Sequence, residues 1–259
     1  MELDVAGEAR SVVLKRATAV EVAAMRAIAV VRELDGPRPL AIGTDWLVLP
    51  FVDAPALANC LAVPDAVWQT LARVHAHWLG RRPRGLPVVD AAWWAGLCDR
   101  TLVAVEGGAA RSPDPAFTDA ARALRAWRAD PRIVAALALL ARTLVHGDPH
   151  RGNILGDADS GVLIDWGNAR VAAPGLDLAV LRAQGAPAPA TYTELFAQLT
   201  GGASGLQAVE AAWADVHVHV QYLGFAADHL GPGRVAEMIA HAAGALGRLG
   251  VGLADLPAG

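Results

Sequence analysis

Residues 144–155 read LVHGDPHRGNIL, and residues 162–168 read VLIDWGN. Each stretch begins with apolar, partly β-branched residues, a pattern that predicts a short buried segment followed by a polar loop. We interpret Asn153–Leu155 and Val162–Asp165 as the two strands of a short hairpin. The polar residues of both stretches should therefore lie close together in the folded chain.

Carboxylate and carboxamide groups are concentrated in these two stretches. Hard cations such as Mg²⁺ prefer oxygen ligands of this kind, which makes Asn153 and Asp165 candidate metal ligands. If Asn153 pairs opposite Asp165, both side chains leave the same face of the hairpin. Asp148 lies between Gly147 and Gly152 in a loop, where its carboxylate can take the proton of a hydroxyl as a general base. The alternative is an ordinary polar loop and hairpin.

The order of these residues resembles the signature of a known enzyme family. His146-Gly147-Asp148, then Asn153, then Ile164-Asp165-Trp166-Gly167 is similar to the pattern of the aminoglycoside phosphotransferase and choline kinase-like family, in the protein-kinase-like superfamily. Residues 174–179 (PGLDLA) are similar to the family's segment after the metal-binding loop. The resemblance implies an α+β, two-lobed, protein-kinase-like fold with a reduced N-terminal β-lobe and a large helical C-terminal lobe.

The resemblance also implies an activity. The chain would transfer the γ-phosphoryl group of ATP or GTP to a hydroxyl of a small molecule. The acceptor would be an aminoglycoside, another antibiotic, a choline-like amino alcohol or a sugar. Mg²⁺ would be the cofactor and the nucleotide the co-substrate.

Five residues receive roles from the same resemblance. Asp148 would be the catalytic base, and Asn153 and Asp165 would bind Mg²⁺. His146 would brace the catalytic loop, and Asp177 would anchor that loop from the following helix.

The amino-terminal region predicts a small β-rich lobe over residues 1–52, and residues 53–259 predict a helical lobe that carries the catalytic loop and the acceptor pocket. In the first lobe, two short strands precede a helix and a second hairpin. In the second lobe, apolar periodicity predicts a series of helices. The predicted helices cover residues 65–79, 91–104, 115–129 and 131–145, and more helices follow the hairpin, with a break at 230–233.

Two pairs of residues in the first lobe are candidates for nucleotide binding. Lys15 ends a strand and Glu21 begins the next helix, as in kinase-like folds, where such a lysine pairs with phosphates and with the glutamate. A surface lysine and a solvated glutamate are the alternative. Pro50 can offer a backbone carbonyl and Val52 a backbone N–H to an adenine edge, although the same stretch also fits a core strand that ends there.

Kinase-like folds place a glycine-containing hairpin over the phosphates, and this chain departs from that pattern. Fourteen residues precede Lys15, and Gly7 is the one glycine among them. We therefore expect a rudimentary phosphate cover. This motivates a rival hypothesis, in which the chain is a nucleotide-binding pseudokinase or scaffold without significant turnover.

Composition restricts the remaining classes of protein. Hydrophobic residues make up 54% of the 259 residues, and the net charge of −4 argues against a partner that needs a broad basic face, such as a nucleic acid. The longest apolar run, Ile133 to Leu140, is too short to span a membrane, and the first residues do not predict a secretory signal. Cys60 and Cys98 are predicted to be reduced thiols. We expect a cytoplasmic protein that binds neither nucleic acid nor membrane, with its oligomeric state left open.

Overall fold

The computed structural model describes residues 2–5, 8–34, 36, 38–59, 61–157, 159–202 and 205–257. The chain forms two compact units, and each is built from two separate segments of sequence. The first unit comprises Met1–Pro87 and Ala141–Ala203, and the second comprises Val88–Leu140 and Ser204–Gly259. Within the described residues, the strands all belong to the first unit, and the second unit is helical.

The strands and helices are numbered in chain order. The strands are β1 Glu2–Val5, β2 Glu8–Arg16, β3 Ala41–Ile42, β4 Trp46–Pro50, β5 Thr143–Val145, β6 Ile154–Gly156, β7 Gly161–Leu163 and β8 Arg170–Ala172. The α-helices are α1 Ala19–Ala29, α2 Asp65–Trp78, α3 Ala91–Arg111, α4 Pro115–Trp127, α5 Pro131–Leu139, α6 Gly175–Ala183, α7 Ala190–Thr200, α8 Gln207–His229 and α9 Pro232–Ala254. This arrangement confirms the predicted α+β class.

The first sheet is antiparallel and has the strand order β1-β2-β4-β3. The predicted order of strand, strand, helix and hairpin in this region is therefore correct. In the central pair, Lys15 lies opposite Leu47, whose side chain is fully buried. Strands β1 and β2 pair with Val5 opposite Glu8. Gly7, on which the expected phosphate cover depends, lies outside the described residues.

Helix α1 begins shortly after β2, and its start positions Glu21. Thr18 is the N-cap residue, and its side chain accepts a hydrogen bond from the Glu21 N–H at 3.2 Å. Thr18 and Glu21 have the spacing of a capping box, in which the glutamate would reach back to the cap. Here the Glu21 carboxylate instead binds Lys15, so the cap fixes the backbone and leaves the carboxylate for the site.

The predicted helix over residues 131–145 is wrong in its last part. Helix α5 ends at Leu139, and Thr143–Val145 is strand β5, which pairs with β8. Thr143 is fully buried, and its Oγ1 donates to the carbonyl of His75 at 2.7 Å. The β-branched residues of β5 favour this extended conformation, and their partner strand is distant in sequence, so helical periodicity gave no sign of it.

The second predicted hairpin is correct, but its register differs from the one expected. Strands β6 and β7 pair Ile154 with Leu163, and the Ile164 N–H donates to the carbonyl of Asn153 at 2.8 Å. Asn153 therefore lies opposite Ile164, one residue before Asp165. The difference arises because Asn153 ends a short 3-10 helix and Asp165 has a left-handed backbone (φ 61°), so neither residue continues a regular strand.

The second unit is a cluster of helices with an aromatic core. Trp94 and Trp213 are fully buried, and the Trp94 indole N–H donates to the carbonyl of Trp127 at 2.8 Å. Cys98 is buried in the same unit, and burial raises the pKa of its thiol to about 12. Cys60 lies outside the described residues. Among the helices of the described chain, none is both long enough and apolar enough to cross a lipid bilayer.

Candidate active site

Asp177 is the buried carboxylate that holds the loop after β5. Its Oδ2 accepts the backbone N–H of His146 at 2.7 Å, and its Oδ1 accepts the N–H of Gly147 at 2.8 Å. The His75 Nε2 lies 3.1 Å from the same Oδ2, and the His75 Nδ1 lies 2.9 Å from the Tyr192 hydroxyl. Burial alone would raise the pKa of the Asp177 carboxyl, but the bond and charge of His75, together with the loop, hold it below its usual value. The loop is thus tied to the start of α6.

His146 is fully buried and joins the loop to the residue before Asp165. Its Nδ1 accepts the N–H of Asp148 at 3.2 Å, so its Nε2 carries the proton and donates to the carbonyl of Ile164 at 2.8 Å. Burial lowers the pKa of His146 below its usual value, which keeps the ring neutral. The ring also packs on Trp166, with ring centroids 4.7 Å apart. His146 therefore sets the distance between the two polar stretches.

Gly147 is required by backbone conformation and by space. Its φ is +84°, and a Cβ at this position would collide with the backbone carbonyl of Asn168. Arg170 packs on the same glycine and donates from its Nη2 to the Gly147 carbonyl at 2.9 Å. The loop is consequently held from the β8 side as well as from Asp177.

The structure places Asp148 and Asn153 at the two ends of one loop. The Asn153 side-chain Nδ2 donates to the Asp148 carbonyl at 2.9 Å. The Asp148 side chain is 17% exposed, and its Oδ2 accepts a hydrogen bond from the Asn168 Nδ2 at 3.2 Å. The contact with Asn168 was not predicted. In the sequence, Asn168 is marked only by its position directly after Asp165-Trp166-Gly167. The β5–β8 pairing, which brings this position next to Asp148, was not predicted.

Lys15 joins Glu21 and Asp165 in one charged group. The Lys15 Nζ lies 2.8 Å from the Glu21 Oε1 and 3.1 Å from the Asp165 Oδ1. Burial opposes the charged form of Lys15, but the two carboxylates outweigh it and raise the lysine pKa. Partial burial would likewise raise the pKa of Asp165, and the hydrogen bond and charge of Lys15 lower it below its usual value. The short sequence separation of Lys15 and Glu21 is thus compatible with a direct ion pair.

A cavity of about 220 Å³ lies beside this charged group. Lys15, Glu21 and Asp165 supply the charged side chains of its lining. The apolar lining includes Val13, Leu49, Pro50, Val52, Leu155 and Ile164. All four residues predicted to bind nucleotide therefore meet one cavity, together with one of the two predicted metal ligands.

The family model described as "Phosphotransferase enzyme family" (APH) matches residues 4–214, which is most of the chain and includes every residue of this site. The chain belongs to the phosphotransferase enzyme family. The predicted family resemblance is confirmed. A sequence search of curated proteins finds no match.

Solved structures of kinases resemble this phosphotransferase in fold. A choline/ethanolamine kinase family protein from Mesorhizobium loti has 17% identity and a TM-score of 0.56, over 96% of this chain and 84% of that one. Choline kinase from Cryptosporidium parvum has 9% identity and a TM-score of 0.59, over 92% and 79%. A macrolide 2′-phosphotransferase from Brachybacterium faecium has 20% identity and a TM-score of 0.50, over 93% and 86%. At these identities the likeness shows the fold alone, and it confirms the predicted kinase-like class.

The metal that such phosphotransferases imply can be tested against the donor set. Asp165 offers carboxylate oxygens on a side chain that is 51% exposed, and Asn153 offers a carboxamide oxygen, which together suit Mg²⁺. No group of three or more His, Cys, Asp and Glu side chains in the described part of the chain is arranged to hold a metal. Mg²⁺ commonly keeps several waters and binds phosphate oxygens, so two ligands from the protein are sufficient for its coordination.

Arg151 lies in the loop that joins Asp148 to Asn153, and its partners lie outside the charged group. It is buried, and its guanidinium donates to the backbone carbonyls of Ala58 (3.3 Å) and Leu61. Its own backbone N–H donates to the Gln184 side chain at 3.0 Å. Arg151 therefore connects this loop to the segment around Ala58 and Leu61.

Proposed function

We propose that this chain transfers the γ-phosphoryl group of ATP or GTP to a hydroxyl of a small molecule. Membership of the phosphotransferase family establishes the general class. The proposal of nucleotide-dependent transfer depends on one observation. Lys15 forms ion pairs with both Glu21 and Asp165 at the edge of an apolar cavity. A lysine held between two carboxylates is positioned to receive phosphate oxygens without rearrangement of the backbone.

The nucleotide would use the cavity and the charged group together. Its base would lie against the apolar lining, with the Pro50 carbonyl and the Val52 N–H at the base edge. Its phosphates would reach Lys15, while Glu21 fixes the direction of the ammonium.

The chemistry assigned to the loop is a proton transfer. The oxygen of the acceptor hydroxyl forms a bond to the γ-phosphorus, and the bond from that phosphorus to the bridging oxygen breaks, so the nucleoside diphosphate leaves. The hydroxyl proton passes to the carboxylate of Asp148. Mg²⁺ held by Asn153 and Asp165 would supply charge neutralisation at the phosphates. His146 and Asp177 would hold the loop, as their hydrogen bonds indicate.

The acceptor class is proposed by analogy with the proteins of similar fold. The similar folds include proteins described as choline kinases and as a macrolide phosphotransferase, and these names define a sensible panel. We propose an aminoglycoside, another antibiotic, a choline-like amino alcohol or a sugar as the acceptor class. The cytoplasmic location and the absence of a nucleic-acid or membrane partner stay predictions.

The first experiment separates turnover from binding. Asp148→Asn should abolish acceptor-dependent consumption of ATP or GTP, while Mg²⁺-nucleotide affinity stays within about twofold, because the base acts only in the chemical step. Asp165→Ala should weaken Mg²⁺-nucleotide binding itself. Asp119→Asn, at an exposed carboxylate of α4, is the matched control and should change neither quantity. Calorimetric titration and a nucleotide-consumption assay across the acceptor panel give both readings.

The pseudokinase or scaffold hypothesis makes the opposite prediction. Under that hypothesis the wild-type chain binds nucleotide but consumes none with any acceptor of the panel, and Asp148→Asn changes nothing. Near wild-type turnover by Asp148→Asn would show that the base has been assigned wrongly.

A further inference from the structure

Asn168 contacts the side chain of Asp148, the proposed base. Its Nδ2 donates to the Oδ2 of Asp148 at 3.2 Å. The His150 Nε2 lies 3.9 Å from the same oxygen, and the His150 Nδ1 accepts the Gly152 N–H at 3.0 Å. Of these two nitrogens, the Asn168 Nδ2 lies within hydrogen-bonding distance of the Asp148 Oδ2, and the His150 Nε2 lies beyond it.

The backbone fixes Asn168 in this place. It ends the 3-10 helix Trp166–Asn168, and the Ala169 N–H donates to the Trp166 carbonyl at 3.1 Å. The next residue, Arg170, pairs with Val145 in the β5–β8 ladder. Continued past its last pair, this ladder brings Asn168 beside Gly147, whose missing Cβ makes room for the Asn168 carbonyl. The position of Asn168 next to Asp148 is therefore set by two strands rather than by its own exposed side chain.

We propose that Asn168 is a positioning residue for the catalytic base, an inference that rests on the proposed function. A carboxylate can rotate about its Cβ–Cγ bond, and one donor at Oδ2 restricts that rotation. The Asn168 amide donates a hydrogen bond to the Asp148 carboxylate and carries no charge. An ionised carboxylate at position 168 would have no hydrogen to donate and would repel Asp148. The donor therefore holds Asp148 in the plane in which it receives the acceptor proton.

Three variants separate this positioning role from a structural one. Asn168→Ala removes the donor, and Asn168→Asp keeps the shape but replaces the donor with a repelling charge. We expect kcat to fall about tenfold in Asn168→Ala and further in Asn168→Asp, because a general base contributes on the order of 10²–10⁴ to the rate. A role in shape alone predicts the other order, with Asn168→Asp close to wild type. Asn59→Asp makes the same isosteric change at an exposed position and should keep wild-type kcat.

The turnover probe is Mg²⁺-ATP with water as acceptor, so no acceptor has to be known in advance. The Kd of Mg²⁺-ATP is measured by calorimetry for each variant and should stay within about twofold, because Asn168 acts through Asp148 rather than on the nucleotide. A wild-type chain that binds no Mg²⁺-nucleotide would refute the proposed function, whatever Asn168 does.

A second readout tests the contact without turnover. The chain has three asparagines, at positions 59, 153 and 168, so labelling with ¹⁵N-asparagine gives three side-chain amide signals. In Asp148→Ala the Asn168 amide signal should move by more than those of Asn153 and Asn59. The Asn153 amide donates to the Asp148 backbone carbonyl, which this variant retains, so Asn153 reports any general disturbance of the loop. An unmoved Asn168 signal, or wild-type kcat in Asn168→Asp, would overturn the proposal.

Discussion

Lys15 neutralises two carboxylates from distant parts of the chain, Glu21 in α1 and Asp165 after β7. Glu21 is 5% exposed at its side chain, whereas Lys15 is 35% exposed and Asp165 is 51% exposed. Removal of the lysine would therefore leave a buried carboxylate without its cation, and a solvated one that loses less. The cost of a Lys15 substitution should fall mainly on Glu21.

We expect Lys15→Met to lower the free energy of unfolding by about 1–2 kcal/mol, less than for a fully buried pair because the lysine is partly solvated. Adding Glu21→Gln should restore much of the loss, since a neutral amide needs no cation. Urea unfolding of the two single variants and the double variant measures this coupling. Equal stability of Lys15→Met with and without Glu21→Gln would contradict it.

His146 makes stability depend on pH. Burial lowers its pKa, so below about pH 6.5 the imidazole is protonated in the unfolded chain while it stays neutral in the folded chain. Stability from this residue is fully present above that pH and is lost as the pH falls, by up to about 1.4 kcal/mol per pH unit. His146→Gln should reduce the slope of unfolding free energy against pH by the contribution of one bound proton, as measured by unfolding between pH 7.5 and 5.0. The pKa values of His77 and His219 are also lowered, so some slope should remain.

At the residue scale, the type and order of side chains in the sequence allowed candidate site residues to be chosen, and their roles stay predictions. Hydrogen bonds join Lys15 to Glu21 and Asp165, and Asn153 to the Asp148 carbonyl, whereas Asp177 binds the backbone of the loop. Asn168 was passed over because its partner is set by a strand pairing between residues 25 positions apart, Val145 and Arg170. Side-chain chemistry is visible in a sequence, whereas a neighbour across a long-range ladder is not.

Among the elements, β5 positions the start of the loop that carries Asp148. It is three residues long, and its apolar side chains Leu144 and Val145 are fully buried, so hydrophobic pattern alone could not separate it from the helix before it. The pairing of β5 with β8 and the anchor from α6 act on the same short turn. A change in the backbone of this turn should therefore disturb both the β5–β8 pairing and the hydrogen bonds from Asp177 of α6.

Gly147→Ala tests that turn, and Gly185→Ala is its matched control. Both glycines have a left-handed backbone, with φ of +84° and +78°, but a Cβ on Gly185 meets nothing within 4 Å. Gly185→Ala should cost roughly 1 kcal/mol for conformation alone. Gly147→Ala should cost at least about twice that and should abolish turnover, because the Asn168 carbonyl has to move as well. Similar unfolding free energies for the two variants would argue against a tightly packed turn.

For the whole molecule, the sequence predicted the α+β class and the family because both depend on an ordered local motif. The two compact units are a different matter, since each is assembled from two segments that meet again after a long excursion of the chain. Such closure depends on packing between distant residues, which no local pattern records. The predicted lobes, residues 1–52 and 53–259, are continuous in sequence, and that boundary stays a prediction.

Nucleotide binding should stabilise the molecule mainly through its first unit. At a hundredfold excess of ligand over Kd, linkage adds about 2.7 kcal/mol to the free energy of unfolding. Hydrogen exchange with Mg²⁺ and a non-hydrolysable ATP analogue should slow most at residues 49–52 and 164–166, which line the cavity, and at residues 146–153, which form the loop. Protection confined to residues 88–140 and 205–257 would place the nucleotide elsewhere.

One ammonium that holds two carboxylates also has a thermodynamic consequence. When a phosphate draws Lys15 away from Asp165, an oxygen of that carboxylate becomes available to a cation, and when a cation takes that oxygen, Lys15 becomes available to a phosphate. Each guest therefore lowers the cost of admitting the other, and linkage makes the effect reciprocal. We expect the cation and the nucleotide to bind with positive cooperativity, because both compete with the ion pair between the Lys15 ammonium and Asp165.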